Sequence, residues 1–372
     1  MGKLVYLDHN ATTPLRQAAL AAMAEVLTEV GNPSSIHRFG RAARKRVEAA
    51  RDSVARLVGA QPADVVFTSG GSEANNLALK GLRAAGVLVS AIEHPSVLNA
   101  APDAPRVPVR GDGTVDLGAL EGMLAECPKP ALVALMLANN ETGVIQPVAE
   151  AARIAHAYGA KLHCDAVQAA GKVAVDIEWL GADTLSLSAH KLGGPQGVGA
   201  LIVRPGARLG ALIAGGGQEH GLRAGTENVA GIVGFGIAAD AARTELDAYA
   251  RTAALRDDME RNVGARVFGA EAPRLPNTSQ IAMPGVPAET QVIAFDLDGI
   301  AVSAGSACSA GKVEPPYVLA AMGVPDREAT TAIRVSLGRD TTRNEIERFI
   351  AAWRALYRRT RRLDRVALQP AE

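Results

Sequence analysis

The sequence predicts an α/β protein, with a large domain built on a mainly parallel sheet and a smaller α+β domain. Two observations lead to this fold class. From about residue 15 to residue 240, short β-type apolar runs alternate with helical periodicity, the pattern of parallel strands joined by crossover helices. The chain has 372 residues, 48% of them hydrophobic and 21% charged, which is typical of a globular protein large enough for two structural units.

The elements of the first part follow in chain order. The run Ala131–Ala138 is continuously apolar, as expected for a strand that is buried on both faces. After it, Pro147 indicates a helix start and Gly159 a helix end, with Ile154 and Ala155 on the buried stripe. Further strands are predicted at Asp64–Phe67, Gly86–Ile92, Lys161–Asp165, Asp183–Ser188 and Gly197–Arg204. Ligands of open α/β sheets bind beyond the carboxyl ends of strands, so residues that follow these strands are the candidates for a site.

The pattern changes in the last third of the chain. The charged segment Ala239–Val263 predicts a long connecting helix. After it we expect strands at Asn277–Ala282, Gln291–Leu297 and Ala332–Ser336, and a loop of small residues at about 303–316. We therefore predict a large domain at residues 15–250 and a small domain formed by residues 1–14 and 251–372.

Composition and charge exclude several functions. The 39 basic and 39 acidic residues cancel and only 3% of residues are aromatic, which disfavours a nucleic-acid partner. No apolar run approaches the roughly 20 residues needed to cross a bilayer, and no signal peptide is evident. The three cysteines, Cys127, Cys164 and Cys308, have no metal-ligand spacing and cannot form a disulfide framework. We expect a cytoplasmic protein without a membrane partner and without a structural metal site.

Three groups at strand ends point to one cofactor. Gly71 and Ser72 follow a strand and open a helix, which predicts a phosphate cradle, although an ordinary helix cap fits equally well. Lys191 comes directly after a buried strand, where loss of water would make its amine a nucleophile able to form a Schiff base. Asp165 ends a neighbouring strand. An amine, a carboxylate and a phosphate cradle are what a pyridoxal phosphate site needs.

Other polar residues follow the same strands. His94 has the position to stack on a planar ring or to move protons, with a purely structural histidine as the alternative. Asn140 and Gln168 are placed to donate to a ring substituent. Cys308 lies among Ser, Ala and Gly residues, which predicts a reactive thiol rather than a core cysteine.

With these residues assembled, the chain resembles the cysteine desulfurases of the NifS/IscS type, which are fold-type I pyridoxal phosphate enzymes of the class-V aminotransferase family. The resemblance extends over nearly the whole length. Its motifs occur in order at Tyr6–Pro14, Gly31–Ser35, Ser69–Glu73, Glu93–Ser96, Asn139–Gly143, Asp165–Gln168, Ser188–Lys191, Arg223–Thr226, Gly305–Cys308 and Ile333–Gly338.

The resemblance implies a role for each cofactor residue. Lys191 would bind the cofactor covalently, and Asp165 would keep the ring nitrogen protonated. Asn140 and Gln168 would contact the ring oxygen, while His94 would stack over the ring and help proton transfer. The phosphate would be bound by Gly71, Ser72, Ser188 and His190, joined by Thr226 from the other subunit of a homodimer.

The resemblance also implies the substrate and the product. Arg334 would hold the carboxylate of L-cysteine, with Asn32 as a helper and Arg339 as the second choice. L-Alanine would leave, and Cys308 would keep the sulfur as a persulfide for an iron-sulfur scaffold protein or another acceptor. Through that partner, Cys308 would contact an iron-sulfur cluster transiently.

Two alternatives keep the same cofactor, namely a selenocysteine lyase and another pyridoxal-phosphate-dependent aminotransferase. A dinucleotide-binding oxidoreductase or a non-catalytic binding module is disfavoured, because neither Gly193–Gly199 nor Gly215–Gly217 has the spacing of the dinucleotide motif.

Overall fold

The computed structural model describes residues 4–305 and 316–367, with side chains as far as Thr360. The strands are β1 (Val5–Tyr6), β2 (Val65–Thr68), β3 (Gly86–Ser90), β4 (Arg106–Val107), β5 (Ala131–Ala134), β6 (Lys161–Asp165), β7 (Thr184–Ser188), β8 (Gly199–Val203), β9 (Arg266–Phe268), β10 (Thr278–Ala282), β11 (Ile300–Ala301) and β12 (Ala332–Ser336). The helices are α1 (Gln17–Leu27), α2 (Arg38–Leu57), α3 (Gly71–Gly81), α4 (Pro95–Leu98), α5 (Leu117–Glu126), α6 (Val148–Ala157), α7 (Ile177–Leu180), α8 (Val229–Thr244), α9 (Leu246–Ala250), α10 (Thr252–Val263), α11 (Ala288–Leu297), α12 (Tyr317–Ala321), α13 (Asp326–Ala329) and α14 (Arg343–Ala367).

A seven-stranded sheet forms the centre of the first part, in the order β2-β8-β7-β6-β5-β3-β4. From β7 to β4 every pairing is parallel, so the carboxyl ends of these strands share one edge. Strand β8 runs antiparallel to both of its neighbours. Residues 189–198 join β7 to β8, which is shorter than the crossover of a dozen or more residues that a parallel pair needs. The predicted α/β class with a mainly parallel sheet is confirmed.

Both faces of this sheet are covered. Along β5, Val133 packs in one hydrophobic cluster, while Leu132 and Ala134 pack in another on the opposite side. Successive side chains of a strand point to opposite faces, so one strand supplies both cores. Helices α2 and α8 cover the first side, and α3 covers the second.

A separate core lies in the last part of the chain. The antiparallel sheet β12-β10-β9 packs with α11 and α14, where Phe295 stacks on Trp353 at 6.3 Å between ring centroids. Strand β1 joins this core through parallel pairing with β11. The N-terminal segment therefore starts at the second core and continues toward the central sheet. This separation supports the division into domains at 15–250 and at 1–14 with 251–372, which stays a prediction.

Several element predictions are confirmed and two are wrong. Helix α6 starts after Pro147 as expected, and β6 and β12 have the predicted bounds. Residues Gln291–Leu297 belong to helix α11, not to a strand. Gln291 and Phe295 are buried, whereas Ile293, which would share their face in a strand, is 62% exposed, so burial follows the helical period. The predicted long helix at Ala239–Val263 is divided into α8, α9 and α10. In the described part of the chain, no helix combines the length and the apolarity that crossing a membrane requires.

Candidate active site

A cavity of about 220 Å³ lies at the carboxyl ends of β3, β5, β6 and β7, beside the start of α3. This is where ligands of open α/β sheets are expected to bind. The predicted cofactor residues that line it are Gly71, Ser72, His94, Asn140, Asp165, Gln168, Ser188, His190 and Lys191. The structure thus brings together residues that are spread over about 120 positions of the sequence.

One end of the cavity is formed by the N-terminus of α3, where the first backbone N–H groups have no acceptor within the helix. These groups and the helix dipole favour an anion such as a phosphate. Gly71 is required there, because a Cβ atom would lie 2.8 Å from Cγ2 of Val167. His190 is close by, and burial together with the adjacent Lys191 lowers its pKa to about 4, so its imidazole is neutral at pH 7.

The carboxylate of Asp165 lies at the end of β6 and is 6% exposed. Its Oδ2 accepts a hydrogen bond from Nδ2 of Asn75 at 2.8 Å, and its Oδ1 accepts one from the backbone N–H of Val167 at 2.9 Å. The Asn75 amide is itself fixed, since its Oδ1 contacts Oγ of Ser186 at 2.5 Å and Nε2 of His163 at 3.0 Å. Two chain segments therefore hold this carboxylate in one orientation.

The amine of Lys191 lies on the other side of the cavity. Its Nζ donates to the carbonyl oxygen of Ala11 at 2.8 Å and to that of Asn10. Burial and the positive charge of Arg334 lower the pKa of Lys191 to about 8, against the opposing effects of nearby carboxylates. An amine with this pKa can lose its proton near neutral pH, as a Schiff-base lysine must.

Asn10 connects the cavity residues to the N-terminal segment. Its carbonyl oxygen also accepts a hydrogen bond from Nε2 of Gln168 at 3.0 Å. Its side-chain Oδ1 accepts one from Nζ of the buried Lys172 at 2.7 Å. Neither Asn10, Asn75 nor Lys172 was identified from the sequence. Asn10 lies inside the motif Tyr6–Pro14, which is the signal that could have found it.

His94 is at the N-cap of α4, where its Nδ1 accepts a hydrogen bond from the backbone N–H of Ser96 at 3.1 Å. Loss of water around the ring lowers the pKa of His94, and the charge of Lys191 acts in the same direction. In the neutral ring the proton is then on Nε2, because Nδ1 is the acceptor.

Three predicted residues that the structure describes do not line this cavity. Arg334 donates to Oδ1 of Asp8 at 2.7 Å and to the carbonyl oxygen of Asn140 at 3.0 Å. Because Asn140 lines the cavity, Arg334 lies next to it. Asn32 and Thr226 are exposed on the surface of the single chain. Cys308 lies outside the described residues.

The alternative arginine, Arg339, contacts Glu245 and Asp340 rather than the cavity. No group of His, Cys, Asp or Glu side chains within residues 4–305 and 316–360 is arranged to hold a metal ion.

The donor set suits pyridoxal phosphate. The helix start of α3 matches a phosphate, the oriented carboxylate of Asp165 matches a ring nitrogen, and the amine of Lys191 matches an aldehyde. In addition, the buried Oδ1 of Asn140 has no hydrogen-bond partner among the described residues, so this amide is free to contact a ligand.

Comparisons with known proteins agree with this site. The family model for class-V aminotransferases matches residues 5–349. A cysteine desulfurase of Cereibacter sphaeroides is 45% identical over 366 residues, which cover 93% of this chain and 94% of that protein. The cysteine desulfurase IscS of Dictyoglomus turgidum is 42% identical over 366 residues, covering 93% and 92% of the two chains.

Among solved structures, the X-ray structure of a NifS-like protein from Rickettsia africae superposes with a TM-score of 0.89 at 37% identity. The match covers 95% of this chain and 99% of that chain. The motifs, the fold and the relatives lead to one assignment: the chain belongs to the cysteine desulfurases of the class-V aminotransferase family, which are pyridoxal-phosphate-dependent enzymes.

Proposed function

We propose that the chain removes the sulfur atom of L-cysteine, releases L-alanine and keeps the sulfur as a persulfide on Cys308. The observation that carries this proposal is the cavity in which the Lys191 amine, the Asp165 carboxylate and the start of α3 meet. The relatives named cysteine desulfurase, which are similar over most of the chain, support the choice of substrate.

In this proposal the cavity residues hold the cofactor in three ways. Ser188, His190 and the start of α3, with Gly71 and Ser72, bind its phosphate. Asp165 keeps a proton on the ring nitrogen, and Lys191 forms the covalent link. Asn140 and Gln168 donate to the ring oxygen, while His94 stacks on the ring. When bound, pyridoxal phosphate withdraws electrons from the α-carbon of an attached amino acid.

The remaining steps belong to the chain's own residues. With a pKa of about 8, Lys191 can remove the proton from the α-carbon of cysteine and later return a proton near neutral pH. The Cys308 thiolate attacks the substrate sulfur, so that a sulfur–sulfur bond forms as the carbon–sulfur bond breaks. The electron pair of the broken bond stays on carbon, and protonation of that carbon gives alanine.

Arg334 is proposed to bind the substrate carboxylate. Arg334 is 5% exposed, and its Nε has no partner among the described residues, so its guanidinium can still donate a hydrogen bond to a ligand. The existing contacts with Asp8 and with the Asn140 carbonyl hold the guanidinium beside the cavity. Asn32 is proposed as a helper at the same carboxylate.

A homodimer is proposed because two of the assigned residues, Asn32 and Thr226, are exposed in the single chain. Large apolar side chains are exposed close to Asn32, with Ile36 at 90% and Val30 at 76%. Phe39 is also exposed. Burial of these side chains by a second copy would bring Thr226 to the phosphate of the partner's site. Light scattering combined with size exclusion would test this, since a monomer at micromolar concentration contradicts it.

The persulfide needs an acceptor, because the enzyme returns to its starting state only when the sulfur leaves Cys308. We propose an iron-sulfur scaffold protein as one acceptor, with transient contact between Cys308 and a cluster. A cytoplasmic location stays a prediction of the sequence.

Activity of the purified protein with pyridoxal phosphate tests the reaction. We expect alanine from L-cysteine in the presence of a thiol reductant, and a visible band that borohydride removes. After this reduction and denaturation, the cofactor should stay covalently attached to the wild type but not to Lys191→Ala. Cys308→Ala should keep the visible band and lose alanine formation. Wild-type turnover by Cys308→Ala would contradict a desulfurase. Transfer of the amino group to a 2-oxo acid, unaffected by thiol alkylation, would favour an aminotransferase.

A further inference from the structure

Lys172 is a buried lysine that the proposed reaction does not use. It is only 2% exposed, and its Nζ donates to Oδ1 of Asn10 at 2.7 Å and to Oε1 of Gln168 at 2.8 Å. No carboxylate forms an ion pair with it among the described residues. A lysine in such surroundings is uncommon, since burial of an unpaired charge is strongly unfavourable.

The contacts of Lys172 match those of a neutral amine. An ammonium group has three N–H donors, and two acceptors are present within the described residues. Burial lowers the pKa of Lys172 well below its usual value, and the positive charges of Lys191 and Arg334 lower it further. His9 also interacts with Lys172, and its imidazole is neutral at pH 7 because burial lowers its pKa to about 4.

Both ends of the Gln168 amide are fixed by groups of known polarity. The backbone carbonyl of Asn10 can only accept, so the group that faces it at 3.0 Å is the NH₂ of Gln168. The oxygen Oε1 then faces Lys172, which is its one hydrogen-bond donor among the described residues. One N–H of Gln168 binds Asn10, and the second N–H is left for the cavity, which Gln168 lines.

We propose that Lys172 is a positioning residue, which holds the Gln168 amide with an N–H group toward the cavity and so adapts the site to an anionic ring oxygen. This inference rests on the proposed function, because that oxygen belongs to the bound cofactor. Lys172 itself does not touch the cofactor in this proposal. Its effect depends on Gln168, which makes it testable by a double-mutant cycle.

The experiment compares apoenzymes of the wild type, Lys172→Met, Gln168→Ala and the double variant. The dissociation constant of pyridoxal phosphate and the pH midpoint of the visible band are measured for each. Lys172→Met should weaken cofactor binding about tenfold, as expected when one buried hydrogen bond is lost. The midpoint should rise by about one unit, because a ring oxygen without its donor keeps a proton more tightly.

In the double variant we expect no effect beyond that of Gln168→Ala. Additive effects would overturn the proposal, because Lys172 would then act without Gln168. The proposal would also be overturned if Lys172→Met had the same dissociation constant and the same pH midpoint as the wild type. If the wild type itself does not bind pyridoxal phosphate, the proposed function fails instead, so the two failures can be distinguished.

Two further variants keep the result interpretable. Lys161→Met removes a half-exposed lysine that forms an ion pair with Asp183. Lys161 lies at the start of β6, at the opposite end of the strand from Asp165, so this variant should bind the cofactor like the wild type. Should Lys172→Met not fold, as judged by thermal unfolding of the apoenzyme, Lys172→Gln serves in its place. Glutamine keeps an N–H donor group but is one bond shorter than lysine, so its hydrogen bond to Gln168 should be weakened rather than lost. A midpoint between those of the wild type and of Gln168→Ala therefore supports the proposal, and a midpoint equal to that of the wild type overturns it.

Discussion

Replacement of Asn75 by alanine tests how the carboxylate of the site is held. Asn75 is 1% exposed, and its side chain contacts Asp165, Ser186, His163 and the half-buried Ser96. Alanine removes all four contacts and leaves the backbone of α3 in place. We therefore expect effects on both the stability of the apoenzyme and the affinity for pyridoxal phosphate.

The size of the stability effect follows from burial. Ser186 and His163 are fully buried, so each would lose a partner that water cannot replace. A buried polar group without a partner costs about 1–3 kcal/mol, and Oδ2 of Asp165 can be solvated through the cavity. We expect a loss of about 3 kcal/mol in the free energy of unfolding. Asp165 keeps one hydrogen bond, from the backbone N–H of Val167, so cofactor binding should weaken about tenfold rather than disappear.

Asn76→Ala is the matched control. Asn76 is the next residue of α3, is half-buried, and donates to the carbonyl oxygen of Ser72 at 2.9 Å. Its replacement should change the free energy of unfolding by less than about 1 kcal/mol. Urea unfolding of the apoenzymes and titration with pyridoxal phosphate measure both quantities. If Asn75→Ala and Asn76→Ala have the same free energy of unfolding and the same affinity for pyridoxal phosphate, Asn75 does not hold the Asp165 carboxylate in place.

Three further predictions concern buried charges. His163 is fully buried with a pKa lowered to about 4 by burial, so the unfolded chain binds more protons below pH 6.5. The apoenzyme should therefore lose stability as pH falls from about 6.5 to 4, by about 3 kcal/mol from this group, and a flat profile in urea unfolding would contradict this. The rate of covalent cofactor attachment should rise with pH to a midpoint near 8, the pKa of Lys191, when followed by stopped-flow absorbance, whereas a midpoint near 10.5 would contradict the burial argument. Glu219→Ala should lower the free energy of unfolding by about 3–5 kcal/mol, because the buried Arg51 loses a carboxylate that accepts two of its hydrogen bonds. Asp240→Ala, which breaks an exposed ion pair with Arg56, should lower it by less than about 1 kcal/mol in the same urea unfolding experiment.

Much of the candidate site could be predicted from local sequence. Lys191, Asp165 and Gly71 each stand next to an apolar run, and a parallel sheet brings the carboxyl ends of its strands to one edge. The sequence does not specify the direction of a strand, which is why the antiparallel β8 was not foreseen. The prediction of a strand at Gln291–Leu297 is wrong because a short apolar run fits both periods, and only the packing of α11 against the second core distinguishes a helix from a strand there.

The residues that orient the site could not be predicted, because their roles depend on contacts between distant segments. Asn10 contacts Gln168 and Lys172, more than 150 positions away, and Asn75 contacts Asp165 across 90 positions. An asparagine with such contacts has no local pattern that separates it from a turn or cap residue.

The position of the Lys191 amine depends on both cores of the molecule. Its acceptors, the carbonyl oxygens of Asn10 and Ala11, lie on the segment that β1 carries away from the second core. Ser336, at the end of β12, holds that segment through two contacts. Its backbone forms a β-bridge with Asp8, and its hydroxyl accepts a hydrogen bond from the backbone N–H of Asn10. Lys191 itself follows β7 of the central sheet. A shift between the two cores would therefore move the acceptors relative to the amine. The second core thus helps to set the chemistry of the lysine, and it also carries Arg334, the arginine proposed to bind the substrate.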